Sequence, residues 1–299
     1  MGIENMQDHQ FGHIRFICGE NRGRYPFCNS LYVEGARLII DPACNGKKLL
    51  QLKESDGVEM VWLSHWHEDH FTYLGLFDDC PFWISERDIP PLTDIDVLLD
   101  WYGIDSASHR TYWKKAIVEN FNYRPRQTAH FLKDGEIIHM DPVTVEVVAT
   151  PGHTPGHLAF FFREEELLFT GDYDLTSFGP WYGDLHSSIE ETIASIRRLR
   201  DIPAKIWITG HDNGSFTANP EILWKQYENI IFVRENKLLD FLKHPRTLDE
   251  IVSAWLIYGK PREPLAFFEF GERALVKKHL QYLEKQDKIL FEDNFYRRH

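Results

Sequence analysis

The sequence predicts an α+β fold. Short apolar runs of strand-like composition recur from residue 13 to residue 208, capped amphipathic helices are fewer, and the chain closes on helix, helix, hairpin. The strand candidates are 13–18, 29–33, 37–40, 60–63, 82–84, 136–139, 143–149, 158–162, 167–169 and 206–208. Residues 33–37 and 163–166 read as hairpin connections between neighbours in that series. Residues 94–120 read as helical, with a break near 103–108. Ser188 with Glu191 forms a capping box ahead of Ile189, Ile193 and Ile196, which share one helix face. Asn219-Pro220 reads as an N-cap with proline in the first turn of a helix ending near Leu242. Thr247 with Glu250 is a second capping box, followed by Ile251, Val252 and Trp255. Leu275, Val276, His279, Leu280 and Leu283 stripe a last helix over 271–286, and Asp293-Asn294 turns a closing hairpin. The break at His244-Pro245-Arg246 divides the chain into 1–243 and a small winged-helix-like tail, 244–299.

Composition limits the function. The chain carries 43% hydrophobic and 26% charged residues, the range of ordinary soluble domains. No apolar stretch approaches a bilayer span, so no membrane partner is expected. Residues 1–11 are polar and lack a basic segment followed by an apolar one, which predicts no secretory signal. Cys18, Cys28, Cys44 and Cys80 show no CxxC spacing and read as reduced cytoplasmic thiols. The net charge is −13, and residues 1–243 hold the excess at −14 against +1 for the tail. An acidic surface repels phosphate backbones, so a nucleic-acid partner is disfavoured.

Four places share one grammar, in which an apolar strand ends and a metal-ligand residue type follows. Residues 61–64 lead to His65, His67, Asp69 and His70; 147–152 lead to His153; 167–171 lead to Asp172; 206–210 lead to His211. Strand ends on one edge of a layered sheet lie close in space, and loops there present side chains to a shared cleft. Five imidazoles and two carboxylates suit zinc and neighbouring first-row metals. Seven ligands fill two metal spheres if one carboxylate bridges, leaving room for a shared hydroxide. A lone histidine beside a strand is more often a surface or core residue. Three histidines and an aspartate within six residues, with three more matching strand ends, make accident a poor reading.

These residues resemble the metallo-β-lactamase superfamily. The resemblance rests on His65-Trp66-His67-Glu68-Asp69-His70, on Thr150-Pro151-Gly152-His153, on Thr170-Gly171-Asp172, on Thr209-Gly210-His211, and on the early strand 38–41 ending in Asp41. It spans about 13–215 and implies a four-layer αββα sandwich with the site at one edge. By the resemblance, His65, His67 and His153 bind a first metal, Asp69, His70 and His211 a second, and Asp172 bridges. Two divalent ions are implied, zinc foremost, with iron or manganese as alternatives. His67 stands where the flavodiiron branch usually has glutamate, which disfavours oxygen reduction. His157 and Asp41 read as supporting groups. A catalytic domain with a winged-helix-like tail is similar to the glyoxalase-II-like and LACTB-like hydrolases. Asp41-Pro42-Ala43, where many relatives have Asp-Thr-Gly, and the helical insert between His70 and His153 depart from that pattern.

The expected activity is hydrolysis of a small-molecule ester, thioester or lactone, with Asp69 as the residue placed to shuttle a proton. The alternatives are a metal-dependent ribonuclease or phosphodiesterase, and a mono-iron sulfur dioxygenase. Candidate substrate contacts are Trp181 and Tyr182, just past Asp172, and Arg22 and Arg24 in an early loop; core packing and solvated loop charge are the rival readings. Trp101 and Trp113 read as packing residues. The aromatics Trp255, Tyr258, Phe267, Phe268 and Phe270 read the tail as a dimerisation or interaction module, allowing a homo-oligomer.

Overall fold

The structure, a computed structural model, describes residues 8–212 and 214–299. The first sheet runs in chain order: β1 (His9–Phe11), β2 (Ile14–Ile17), β3 (Ser30–Val33), β4 (Leu38–Ile40), β5 (Met60–Trp62), β6 (Phe82–Ser85) and β7 (His130–Leu132). The second contains β8 (Ile137–Met140), β9 (Val143–Ala149), β10 (Leu158–Phe162), β11 (Leu167–Phe169), β12 (Ile206–Ile208) and β13 (Ser215–Phe216), ordered β13-β12-β11-β10-β9-β8.

Period-two alternation divides the strand residues between two faces. Leu38 and Ile40 of β4 meet Val145, Val147, Phe160 and Phe169 of the second sheet in the central core, while Ile39 turns outward. The outward face of the first sheet packs on helices Gly46–Ser55, Ile95–Trp101 and Ala107–Asn120 through Leu49, Leu98 and Ile117. Val148, Ala159 and Leu168 face the opposite way, against Ile193 and Ile196 of helix Ile189–Arg200 and Trp224 of helix Glu221–Phe241. Three cores between four layers make the expected αββα sandwich.

Both expected hairpins form, pairing Val33 with Leu38 and Phe162 with Leu167. The Ser188 hydroxyl accepts from Glu191 N–H at 3.2 Å, while the Glu191 carboxylate lies 3.8 Å from Arg87. Both halves of the Thr247–Glu250 box are made. Helix Gly46–Ser55, absent from the sequence reading, crosses between the parallel strands β4 and β5. Only Leu49 and Leu52 of it are buried, too short a stripe to signal a helix. Edge strands β1, β7 and β13 were missed for a related reason, since each carries two or three residues and little buried apolar surface.

Helix Leu248–Ser253, helix Leu265–Lys285 and the hairpin of β14 (Ile289–Glu292) with β15 (Phe295–Arg298) follow in the expected order. Asp293 and Asn294 both take positive φ, the conformation a two-residue hairpin requires. The last helix begins at Leu265, six residues before the expected start at Gly271. Gly271 lies inside it, where a Cβ would stand 2.6 Å from the Tyr258 hydroxyl. Ile251, Val276, Leu280 and Leu283 share a core with Leu238 and Leu242 at the end of helix Glu221–Phe241.

Among the described residues no helix is long and apolar enough to cross a membrane. The N-terminal reading falls on residues 1–11, of which 1–7 lie outside the described residues. All four cysteines are free, and burial pushes the Cys28 and Cys44 thiols up to about 12.

Candidate metal centre

Strand direction gathers the site. β4 and β5 are parallel in one sheet; β11 and β12 are parallel in the other, and β9 points the same way through antiparallel β10. Their carboxyl ends share one edge of the sandwich. Leu158 N–H donates to Ser64 O at 2.8 Å and Asn29 N–H to Gly210 O at 2.6 Å, tying that edge across the sheets. Gly171 takes φ +52, and a Cβ on it would lie 2.6 Å from His157 Nε2. A Cβ on Gly210 would lie 2.8 Å from Asp172 Oδ1, so both positions need glycine to keep the edge tight.

All seven sequence-derived ligand candidates converge there as two groups, His65, His67, His153 and Asp172, and Asp69, His70 and His211. His65 Nε2, His67 Nδ1 and His153 Nε2 form a triangle with edges of 3.0, 2.9 and 3.2 Å. His70 Nε2 faces His211 Nε2 at 3.3 Å, and His211 Nε2 lies 3.4 Å from Asp69 Oδ2. Asp172 stands between the groups. Its Oδ2 is 3.3 Å from His153 Nε2, and its Oδ1 is 2.9 Å from His70 Nε2 and 3.3 Å from His211 Nε2.

The outer nitrogen of every imidazole meets an oxygen. His67 Nε2 is 2.7 Å from Asp184 Oδ2, His70 Nδ1 is 2.9 Å from Asp41 Oδ2, and His153 Nδ1 is 3.1 Å from Trp181 O. His211 Nδ1 faces Gly23 O. His65 Nδ1 is 2.9 Å from Ser64 Oγ, which donates to Asp41 Oδ2 at 2.7 Å. Carboxylate and carbonyl oxygens accept, so these outer nitrogens carry protons, and each ring while neutral presents its inner nitrogen as a lone pair. Three lone pairs about 3 Å apart repel unless something positive lies among them. Asp172 Oδ1 is likewise buried with no hydrogen-bond partner. A four-coordinate ion with nitrogen bonds of about 2.0–2.1 Å spans ligand edges of about 3.3 Å. The donor set therefore fits divalent metal ions.

Electrostatics agree. Burial holds His65 well below the usual imidazole range, with His70 adding to it, and burial brings His153 down to about 4. Burial also opposes a charge on His67, but Asp184 overrides it and raises the group to about 9. At His211 burial is overridden by Asp172 and Asp69, to about 10. Asp172 is held well below the carboxylate range against its own burial by His211, His70 and His65. The carboxylates draw positive charge onto His67, His70 and His211, a charge that a bound cation would supply in its place.

His157 and Asp41 support the ligands, as expected. The Thr150 hydroxyl lies 2.7 Å from His157 Nδ1, and His157 Nε2 accepts Asp172 N–H at 3.1 Å. Sequence reasoning missed Asp184, which also accepts from Trp181 Nε1 at 3.2 Å. It missed buried Asp88, which accepts from Thr154 Oγ1 and Gly156 N and so fixes the loop after His153. It gave Glu68 no role, yet Glu68 is buried and accepts from the Tyr25 and Tyr102 hydroxyls.

A cavity of about 470 Å³ opens over the centre, touching His67, Asp69, His153, Asp172 and His211. Of the candidate substrate contacts, Trp181 lines it, and Arg24 stands on its wall paired with Asp212. Tyr182 does not reach it: the side chain is fully buried, with its hydroxyl 2.8 Å from both His279 Nε2 and Arg234 Nη1. Arg22 is exposed and lies outside the lining. Trp113, read as packing, is in the wall. Tyr258, Phe267, Phe268 and Phe270, read as an interaction surface of the tail, form much of the roof.

Strand-end imidazoles and carboxylates at one edge of an αββα sandwich define a class of metal-centred proteins. Residues 24–211 match the model of the metallo-beta-lactamase superfamily, and the chain belongs to that superfamily. It is 38% identical over 189 residues to a hydroxyacylglutathione hydrolase of Haemophilus influenzae, covering 60% of this chain and 81% of that one. It is 33% identical over 182 residues to an atrochrysone carboxyl ACP thioesterase of Aspergillus fumigatus, 58% of this chain; it spans about half that relative's length, 47%. The crystal structure of a metallo-beta-lactamase family protein from Thermus thermophilus shares the fold, with a TM-score of 0.67 at 23% identity over 91% of this chain and 94% of that one.

Proposed function

We propose that the chain is a binuclear metal-dependent hydrolase of a small-molecule ester, thioester or lactone, with the thioester foremost. The observation that carries it is the convergence of seven ligand atoms in two groups, each imidazole oriented by an oxygen on its far nitrogen. His65, His67 and His153 would hold one ion, Asp69, His70 and His211 the other, and Asp172 both. Zinc suits the nitrogen and oxygen donors, with iron or manganese as alternatives. When bound, such ions supply a hydroxide nucleophile near neutral pH and polarise the scissile carbonyl.

The chain's own residues do the rest. Ser64, Asp41 and Asp184 hold three imidazole rings in place. Asp69 lines the cavity with its Oδ2 3.4 Å from His211 Nε2, on the ligand side, which leaves its other carboxylate oxygen to hold a proton while the leaving group departs. The aromatic wall would offer the acyl group an apolar surface. The similarity to a hydroxyacylglutathione hydrolase and to an atrochrysone carboxyl ACP thioesterase supports the thioester reading.

We also propose the division at 243/244, with the tail serving as a wall of the site. Three basic residues of the tail make contacts within the chain. Lys278 Nζ donates to Leu185 O and Ser187 O, Lys285 pairs with Glu190, and Arg297 with Glu292. Metal analysis with a panel of thioesters, lactones and single-stranded RNA tests the function. Two divalent ions per chain and thioester turnover are the expected result. One iron per chain with oxygen uptake, or turnover of RNA alone, overturns it.

A further inference from the structure

The floor of the cavity is ionic, but its roof is a continuous aromatic surface drawn from distant segments. Tyr258 lies 5.0 Å from Phe178 and 5.3 Å from Phe268, ring centre to ring centre. Phe267 lies 5.4 Å from Phe268 and 6.5 Å from Trp113. The fold holds this surface firmly. Buried Glu272 accepts Ile257 N–H at 3.0 Å and Tyr258 N–H at 2.9 Å, and Gly271 admits the Tyr258 ring beside its helix. Buried Arg234 donates to Phe178 O at 2.6 Å and stacks on the Phe178 ring.

Polar recognition is scarce. Away from the centre the charged wall groups are Arg24 and Asp212, paired with each other; Glu68, holding two tyrosine hydroxyls; Asp174; and Arg262, stacked on Tyr258 and Phe268 at the rim. A peptide-like acyl chain would lose its water here without replacement partners. A flat apolar ring would displace poorly held water and gain aromatic contacts.

We propose that the site selects thioesters whose acyl group is large, apolar and ring-bearing, and that Tyr258, Phe267 and Phe268 of the tail set that preference. The inference rests on the hydrolase reading above. The reaction adds water to the acyl carbon: a C–O bond forms, the C–S bond breaks, and the thiol leaves with the second proton.

The test uses acetyl, hexanoyl and 2-naphthoyl thioesters of one small thiol, N-acetylcysteamine, with S-(2-naphthyl) thioacetate to place the ring on the other side of the sulfur. Each buried methylene is worth roughly fourfold. The expected kcat/KM therefore rises at least about a hundredfold from acetyl to naphthoyl, chiefly through KM. Phe268→Ala should cut that ratio about tenfold. Phe268→Trp, which adds bulk to the roof, should lower naphthoyl turnover more than hexanoyl turnover. Acetyl turnover with a flat series, or a ring preference that follows the thiol side, overturns the proposal and leaves the hydrolase reading standing. If no thioester is cleaved, the thioester reading fails by itself. Calorimetry with 2-naphthyl methyl ketone then decides: binding weakened by Phe268→Ala supports a ring-selective roof, and no binding overturns it.

Discussion

The floor and the roof of the cavity are built by different means. The floor comes from strand ends of two hydrogen-bonded sheets, and each ligand ring is held by a second polar group. The roof comes from a loop, an inserted helix and the tail, and it coheres through ring contacts and the Glu272 and Arg234 anchors. Reactive groups gain from rigid placement, because small displacements at the reacting atoms cost large factors in rate. A specificity surface needs only shape and apolar area, which helices and loops supply. The contrast assigns chemistry to the sandwich and selection to its additions.

Asp172→Ala should break the floor most completely. Activity should vanish and metal content should fall, while binding of the naphthyl ketone persists; full activity in this variant would refute the shared-ligand assignment. Asp184→Asn keeps every proposed ligand but weakens the hold on His67. Loss of a group of this kind typically costs about 10–100-fold in metal affinity or activity, readable by competition with a chelator. Glu272→Ala attacks the roof from behind by leaving Ile257 and Tyr258 N–H buried. A loss of about 1–3 kcal/mol in stability is expected, measured by urea unfolding, with ring selectivity reduced and metal affinity kept. A change in metal affinity as large as that of Asp184→Asn would erase the distinction between the two regions.

The smallest effect concerns the seam between sandwich and tail. Burial, with Arg234 nearby, lowers His279 from 6.5 to about 3, so the folded protein keeps it neutral. The unfolded chain takes up this proton as pH falls through 6.5. The His279 contribution is thus fully present above about pH 6.5 and is lost progressively from there toward pH 3. At pH 5.5 the cost is about 1 kcal/mol. Unfolding midpoints recorded from pH 7.5 to 5 should show a shallower decline in His279→Asn.

What the sequence disclosed follows the same division. The seven ligand candidates were legible because strand-end ligands sit in short, chemically marked runs such as Thr170-Gly171-Asp172. The sandwich was legible because β9 alternates through its first five residues and β10 is an unbroken apolar run. Asp184 carried no local signal: it lies 117 residues from His67 and meets it only after folding. Tyr182 shows the converse, for its place just past Asp172 suggested substrate while its side chain turns into the core toward His279. The tail's aromatics announced a surface to be covered, yet not that the chain's own cavity lies beneath it.

Asp41 has a consequence of its own. Its φ of 51° is a left-handed backbone setting that an aspartate adopts at some cost. From there, Oδ1 accepts Ser64 N–H at 2.8 Å, and Oδ2 receives both His70 Nδ1–H and the Ser64 hydroxyl that steadies His65. One side chain thus braces an imidazole from each of the two groups. If the two proposed ions bind, loading one half would be felt in the other, because any movement of this shared brace reaches both. The pair should fill and empty as a linked unit, with the coupling carried by a residue that touches neither ion.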